Sequence, residues 1–269
     1  MIPGVAFLPS ARWARTDRTD GAAGVVYFLL PAYNEEGRIG EQLRTIRELM
    51  EKRGAEYEVV VVDDGSVDGT FQEVHDHGGS MSITVLRHAV NGGVGLAFRH
   101  GFAAMMQVVR DQDVVVTMDA DNTQSLQALE PMLRKIEEGC EVVVGSCLGP
   151  GGEMVGVPLR RRLLTYTCNR LYRLCFGIQG IHTYTGFYRA HSGRAIRLAA
   201  ERYGQELVEA AGFEAMAEML IKFHRLRLRM AEVPMILRYD RKGTPSKMRV
   251  WITIIEHLRV IARNLMRRR

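Results

Sequence analysis

The sequence predicts an α/β fold: one domain with a mainly parallel sheet and helices on both faces, closed by an amphipathic helix at the C-terminal end. Short runs of Val, Ile and Leu alternate with segments of helical period through residues 25–144, and polar clusters stand where three of the apolar runs stop. The length of 269 residues suits a single unit, because α/β folds commonly exceed roughly 200 residues in one domain. Hydrophobic residues make up 46% and charged residues 25%, which excludes a disordered chain.

Residues 1–23 read as a flexible tail, since Pro3 and the brief apolar run lack the pattern of a secretory signal. Residues 25–30 are continuously apolar and β-branched or aromatic, and Pro31 marks their end as a buried strand. Ile39, Leu43, Ile46 and Met50 repeat at helical spacing within 36–53, and Gly54 stops the helix. Further strands are expected at 58–62, 83–86, 114–118 and 142–144, with helices at 94–109 and 126–138. Beyond about residue 150 the pattern is irregular and basic, with helices expected at 159–176 and 213–223. In 248–266, Trp251, Ile255, Leu258, Ile261 and Leu265 form an apolar stripe among arginines.

Charge is distributed unevenly. Residues 1–150 hold 13 Lys/Arg against 22 Asp/Glu, and the remainder holds 23 against 9. The first part therefore suits metal or sugar hydroxyls, and the second an anionic partner such as phosphate or an acidic membrane. Nucleic acid is not expected, because the basic segments lack interleaved aromatic platforms for bases. Cys140, Cys147, Cys168 and Cys175 form no CxxC pair, so neither a zinc site nor a disulfide framework is indicated and a reducing cytoplasm fits. No stretch approaches the ~18 apolar residues of a membrane span, so any membrane contact is expected to be peripheral.

Ligands of open α/β sheets sit beyond the carboxyl ends of the strands. Here those ends carry Pro31-Ala32-Tyr33-Asn34-Glu35, Asp63-Asp64-Gly65-Ser66 and Asp119-Ala120-Asp121-Asn122. Two carboxylates as close as Asp119 and Asp121 repel unless a cation joins them, and their hard oxygens suit Mg²⁺ or Mn²⁺. The same residues also fit an Asx turn that leads into a helix near Ser125. Asn91-Gly92-Gly93-Val94-Gly95 opens a helix and fits a phosphate cradle, although the GxGxxG fingerprint is not met.

In order and spacing these motifs, with Thr185-Gly186-Phe187 and the segment 241–247, resemble the inverting family 2 glycosyltransferases, in particular the dolichyl-phosphate mannosyltransferase or polyprenyl-phosphate group. The resemblance covers about residues 24–250. It implies a Rossmann-like GT-A fold, with residues 24–246 as the transferase domain, 24–150 binding the nucleotide sugar and 151–246 the acceptor. Residues 247–269 form the basic helix. It places Pro31, Tyr33, Glu35, Asp63, Asp64, Gly92 and Asp119 around the nucleotide sugar. Asp119 and Asp121 hold the divalent metal, and Asp121, Arg241 and Lys247 act at the leaving diphosphate. Arg161, with Thr165 one turn on, meets the acceptor phosphate. The chain departs from the family at His182, where an Asp is usual, and at Cys147, where a basic residue often follows Gly-Ser. The QxxRW signature of processive synthases is absent, which favours a single transfer.

The expected reaction moves one hexose to a polyprenyl phosphate, in a cytoplasmic, peripherally membrane-associated enzyme. Two alternatives stand beside it: a transferase with a hydroxyl acceptor, and a non-catalytic nucleotide-sugar-binding membrane adaptor. For a hydroxyl acceptor, Glu214 and Glu218, one helical turn apart, are the candidate base.

Overall fold

The computed structural model describes residues 4–13, 24–242 and 250–267. Lys247, expected at the diphosphate, lies outside them. In chain order the elements are β1 (Val5–Leu8), β2 (Val26–Ala32), α1 (Ile39–Arg53), β3 (Tyr57–Asp63), α2 (Thr70–His77), β4 (Ile83–His88), α3 (Val94–Met105) and β5 (Val114–Thr117). They continue with α4 (Leu129–Glu137), β6 (Val142–Ser146), β7 (Glu153–Val155), α5 (Leu159–Phe176), β8 (Arg189–Ser192) and α6 (Gly193–Tyr203). The last are α7 (Ala215–Arg225), β9 (Met230–Pro234), β10 (Ile236–Arg238) and α8 (Val250–Met266).

Eight strands form the central sheet in the order β1-β4-β3-β2-β5-β8-β6-β9. Strands β4, β3, β2 and β5 run parallel, as do β6 and β9, whereas β1 and β8 are antiparallel to their neighbours. β7 and β10 make a separate two-stranded parallel ladder. Alternation along each strand sends side chains to opposite faces. Tyr27, Leu29, Val60, Val62 and Val115 join the core under α3 and α5 to α8. Phe28, Leu30, Val59, Val61 and Val116 join the core under α1, α2 and α4. Burial on both faces explains why the strands read as unbroken apolar runs.

Three differences from the expected elements have local causes. Strand β2 continues through Pro31, which pairs with Val62, and ends one residue later at Ala32. Within the expected tail, Val5–Leu8 forms an edge strand along β4, from Val5 opposite His88 to Leu8 opposite Val85. Its anchor lies just beyond, where Ser10 donates its backbone amide to Thr84 Oγ1 at 3.0 Å and its hydroxyl to Glu58 at 2.6 Å. β8 has the sequence Arg-Ala-His-Ser, which carries no strand signature, yet Arg189, Ala190 and His191 are fully buried. Arg189 is tolerated because its guanidinium donates to Met216 O at 2.6 Å and Tyr184 O at 2.5 Å.

His191 sits between Phe102 and Phe223, at ring distances of 6.0 and 5.0 Å, and neither of its nitrogens has a hydrogen-bond partner among the described residues. Burial pushes it down to about 3, and burial likewise pushes His257 down to about 4. Both titrate near 6.5 once unfolded, so below that pH the unfolded chain takes protons that the folded one refuses. Stability present above pH 6.5 is therefore lost as pH falls, with a slope that rises toward about 1.4 kcal/mol per pH unit for each histidine. Urea unfolding between pH 7 and 5 should show this slope, and His191→Phe should remove about half of the two histidines' share. An unchanged slope in the variant would mean that His191 is not the refused proton.

Candidate functional site

Strands β2, β3, β4 and β5 all end on the same side of the sheet, where Ala32 pairs with Asp63 and Asp63 with Arg87. The loops that follow are tied to one another. Asn34, in the left-handed region at φ 52°, donates its amide to Ser66 Oγ at 3.0 Å and accepts the Val67 amide on Oδ1 at 3.0 Å. The Glu35 amide donates to Thr70 Oγ1 at 2.7 Å, and the Glu35 carboxylate accepts Arg38 Nε at 2.8 Å. Pro31 and Tyr33 flank this turn and are half-buried. Gly65 is required where it stands: its φ is +74°, and a Cβ there would lie 2.6 Å from the carbonyl carbon of Val90.

The two acidic residues after β3 have different duties. Asp64 Oδ1 accepts His88 Nδ1 at 2.6 Å and the Gly92 amide at 2.9 Å. Its Oδ2 accepts Asn91 Nδ2 at 3.0 Å and the Gly93 amide at 2.8 Å. The amides that the sequence reads as a phosphate cradle are thus donated to Asp64, which stitches the loop after β4 to the loop after β3. On its other side, His88 Nε2 stands 2.9 Å from His100 Nδ1. Asp63 accepts the Ser66 amide on Oδ1 at 2.9 Å. Its Oδ2 is buried without a hydrogen bond among the described residues, although Arg87 Nε stands 3.1 Å away. A cleft of about 280 Å³ opens beside this loop, lined by Gly65, Ser66, Arg87, His88, Gly4 and, in β1, Ala6, and Asp119 and Asp121 are not among its lining residues.

The centre of charge lies after β5. The Asp119 amide donates to Gln124 Oε1 at 3.0 Å, and Gln124 Nε2 donates to Asp119 Oδ2 at 2.7 Å. Asp121 Oδ1 accepts the Thr123 amide at 3.1 Å and the Thr123 hydroxyl at 2.6 Å, so the Asx turn does form. Asp121 Oδ2 points elsewhere and accepts Lys242 Nζ at 2.9 Å. Burial and the Asp121 charge push Asp119 well above the usual carboxylate range. Burial acts on Asp121 in the same direction, but the Lys242 ammonium and the Thr123 hydrogen bonds outweigh it and hold this carboxyl low.

Lys242 arrives by a backbone route that sequence alone does not reveal. The segment after β9 runs beside residues 123–125, with the Ser125 amide on Ile236 O at 3.3 Å and the Arg238 amide on Thr123 O at 2.7 Å. A 3₁₀ turn at Tyr239–Arg241 then leaves Arg241 exposed and Lys242 turned to Asp121. The structure therefore brings Lys242, one residue beyond Arg241, to the carboxylate pair. Tyr239 joins it to α5: Lys242 Nζ is 5.3 Å from the ring centroid, and Arg161 lies over the same ring at 4.9 Å while donating to Tyr239 Oη at 2.8 Å. Thr165 is one turn below, its hydroxyl bonded to Arg161 O at 2.9 Å within the helix.

Other candidates are committed to the framework. Glu218 is fully buried, accepts the Glu209 and Ala210 amides at 3.0 and 2.8 Å, and pairs with Lys222 at 3.1 Å and with Arg263. Glu214 is buried and accepts the Gly212 amide at 2.9 Å. His182 contacts Glu232 of β9 at 2.9 Å, and Glu232 also accepts the His182 and Thr183 amides at 2.7 and 2.6 Å. Cys147 is buried, and burial pushes its thiol up to about 11, so it remains neutral. Thr185-Gly186-Phe187 abuts the carboxylate strand, with Thr117 Oγ1 donating to Phe187 O at 2.6 Å. Asn169 of α5 holds the Tyr184 and Thr185 amides at 2.6 and 3.2 Å.

Comparison with known proteins adds three findings. Residues 27–200 match glycosyl transferase family 2. The chain is 31% identical over 226 residues to an undecaprenyl-phosphate mannosyltransferase of Micrococcus luteus, covering 83% of this chain and 87% of that protein. It is 28% identical over 222 residues to a polyprenol monophosphomannose synthase of Mycolicibacterium smegmatis, covering 82% and 79%. Among solved structures, glucosyl-3-phosphoglycerate synthase from Mycobacterium tuberculosis with Mn²⁺ and UDP-glucose superposes with a TM-score of 0.62 at 22% identity, over 91% of this chain and 79% of that one.

Asp64→Asn should loosen the joint between the two loops, because a carboxamide presents N–H to at least one of four donors. The expected loss is about 1–3 kcal/mol in urea unfolding, with faster hydrogen exchange at the Gly92 and Gly93 amides. Native protection at both amides would show that Asp64 is not what holds them.

Proposed function

The chain belongs to glycosyl transferase family 2, and on that premise we propose that it moves one hexose, with inversion, from a nucleotide diphosphate sugar to a polyprenyl phosphate. The observation that carries this reading is the continuous line Asp119, Asp121, Lys242, Tyr239, Arg161. It sets a carboxylate pair for a cation at one end and an arginine for an anion at the other. The names of the Micrococcus and Mycolicibacterium relatives, an undecaprenyl-phosphate mannosyltransferase and a polyprenol monophosphomannose synthase, support a lipid phosphate.

A divalent ion, Mg²⁺ or Mn²⁺, fits the carboxylate pair. Two neighbouring acidic groups, Asp121 buried and Asp119 half-buried, whose charges repel one another call for a cation, and their oxygens are hard donors. Among the described residues no group of three His, Cys, Asp or Glu gathers there, so an ion held by this pair would need oxygens from the donor or from water as well, as Mg²⁺ commonly does. When bound, the ion neutralises the leaving diphosphate. Around it Asp119 is held by Gln124 and Asp121 by Thr123, which keeps both carboxylates aimed before the donor enters. Tyr33, Glu35 and Asp63 line the nucleoside side, and Asp63 Oδ2 is the oxygen left to accept an N–H from the base. Lys242 takes, in this reading, the diphosphate part that the sequence assigns to Arg241.

Arg161 faces the acceptor phosphate. Its guanidinium is braced over Tyr239, and its planar fork of N–H donors has the shape that pairs with a phosphate. A phosphate acceptor needs no general base, and the commitment of Glu214 and Glu218 to amides and cations supports that choice over a hydroxyl acceptor. The lipid would lie along α5 and α8, which Tyr172 Oη and His257 Nδ1 join at 2.9 Å. Leu159, Leu163 and Leu174 of α5 and Trp251, Ile255 and Leu258 of α8 are exposed, among Arg160, Arg162, Arg173 and Arg259. Such a mixed face suits peripheral contact with an anionic bilayer, in a cytoplasmic position. No described helix is long and apolar enough to cross a membrane.

The test is transfer from a panel of nucleotide diphosphate hexoses, with Mn²⁺, to polyprenyl phosphate and to soluble glycan hydroxyls. Labelled lipid is the expected product; glycan labelled in its place would overturn the acceptor. Asp121→Ala should lower turnover about 10²-fold or more while leaving urea unfolding within about 1 kcal/mol. Full activity in that variant would remove the metal assignment. Trp251→Glu combined with Leu163→Glu should weaken binding to anionic vesicles yet preserve donor hydrolysis in solution. Equal vesicle binding would place that face elsewhere than at the bilayer.

A further inference from the structure

Asp121 Oδ2 is the one oxygen of that carboxylate turned away from its own turn, since Oδ1 is held by the Thr123 amide and hydroxyl. A cation of the chain itself, Lys242 Nζ, sits on it at 2.9 Å. The contact is not an accident of a loose side chain. Lys242 keeps only 22% of its side chain exposed and Asp121 only 11%, and the strand that leads into the turn before Lys242 is bonded to residues 123–125 through backbone amides. A divalent ion bound by Asp119 and Asp121 would compete with Lys242 for this Oδ2, since Oδ1 already accepts two hydrogen bonds.

We propose that Lys242 is a built-in counter-cation that a divalent ion, arriving with the nucleotide diphosphate, displaces from Asp121, and that the released ammonium turns to the diphosphate. The inference rests on the donor reading above. Binding is then an exchange of charge partners. Before donor binding, Lys242 offsets the Asp121 charge and lowers the site's attraction for stray metal. After it, the metal holds both carboxylates and Lys242 meets the added phosphate charge nearby. Tyr239 keeps the ammonium at hand through the exchange, because its ring face attracts a cation on either side of the movement.

The exchange predicts opposite changes in two affinities for one substitution. Lys242→Met keeps length and removes charge. Mn²⁺ alone, titrated by electron paramagnetic resonance of the free ion, should bind it about five-fold more tightly than the parent, because the competing cation is gone. In the presence of Mn²⁺, nucleoside diphosphate measured by calorimetry should bind it about five-fold more weakly, because the displaced ammonium no longer meets the phosphates. Lys242→Arg retains a cation, so its Mn²⁺ affinity should remain near that of the parent, and urea unfolding of all variants reports whether the fold is kept. Mn²⁺ affinity that is unchanged or weakened in Lys242→Met, while still abolished by Asp121→Ala, overturns the exchange and leaves the metal site standing. Mn²⁺ binding indifferent to Asp121→Ala, with or without nucleotide, overturns the donor reading and the exchange with it.

Discussion

Two carboxylates placed two residues apart at a half-closed strand end repel one another, and that repulsion organises the region around them. Neither Asp119 nor Asp121 is left to face it alone. Gln124 donates to the first, Thr123 to the second, and Lys242 neutralises the second from a segment more than a hundred residues away in sequence. The ladder of β7 with β10 and the crossing bonds from 123–125 to 236–238 have their clearest use here, since they bring a cation to a place that its own sequence neighbourhood does not specify. Similar economy appears at Asp64, where one carboxylate collects four donors from three consecutive loop residues and a histidine. Acid groups at this sheet edge serve first as joints.

The basic part of the chain answers this acidic edge through geometry more than through net charge. Arg161 reaches the centre by way of an aromatic ring, whereas several other arginines of α5 remain on the outer face beside exposed leucines. Lys222, by contrast, is drawn inward and paired with Glu209 and Glu218, which themselves meet Arg267, just past the last helix, and Arg263 within it. That buried network fastens α8 to α7, and the opposite side of α8 keeps Trp251 and Ile255 outside. One helix therefore has a polar lock on one side and an apolar surface on the other.

Much of the fold was legible because the strands between residues 26 and 117 are buried on both faces and spell themselves out in valine. The edge with its three polar clusters followed from the same reading. What escaped did so for physical reasons. Arg189 and His191 look like loop residues until the surrounding carbonyls and aromatic rings are known, so β8 was invisible. The choice of Lys242 over Arg241 depends on the sense of a single 3₁₀ turn and on backbone bonds to a distant segment. Tyr239, His88, His100 and Glu232 carry no local pattern at all. Their significance is a matter of who stands opposite, and that is tertiary information.

The position of β8 bears on the order in which the molecule can assemble. β5 and β6 do not pair with each other; β8 lies between them, antiparallel to both. A chain emerging from the ribosome can set β2, β3, β4 and β5 side by side by residue 117, but the outer edge of β5 then stays open until residues 189–192 appear. β6 waits for the same strand and for β9, which begins at residue 230. An unpaired edge next to a valine-rich strand is the kind of surface that joins other chains during synthesis. The antiparallel insert thus divides synthesis into an early half that forms its sheet and a late half that closes it, with the acidic centre completed only when the second half has arrived.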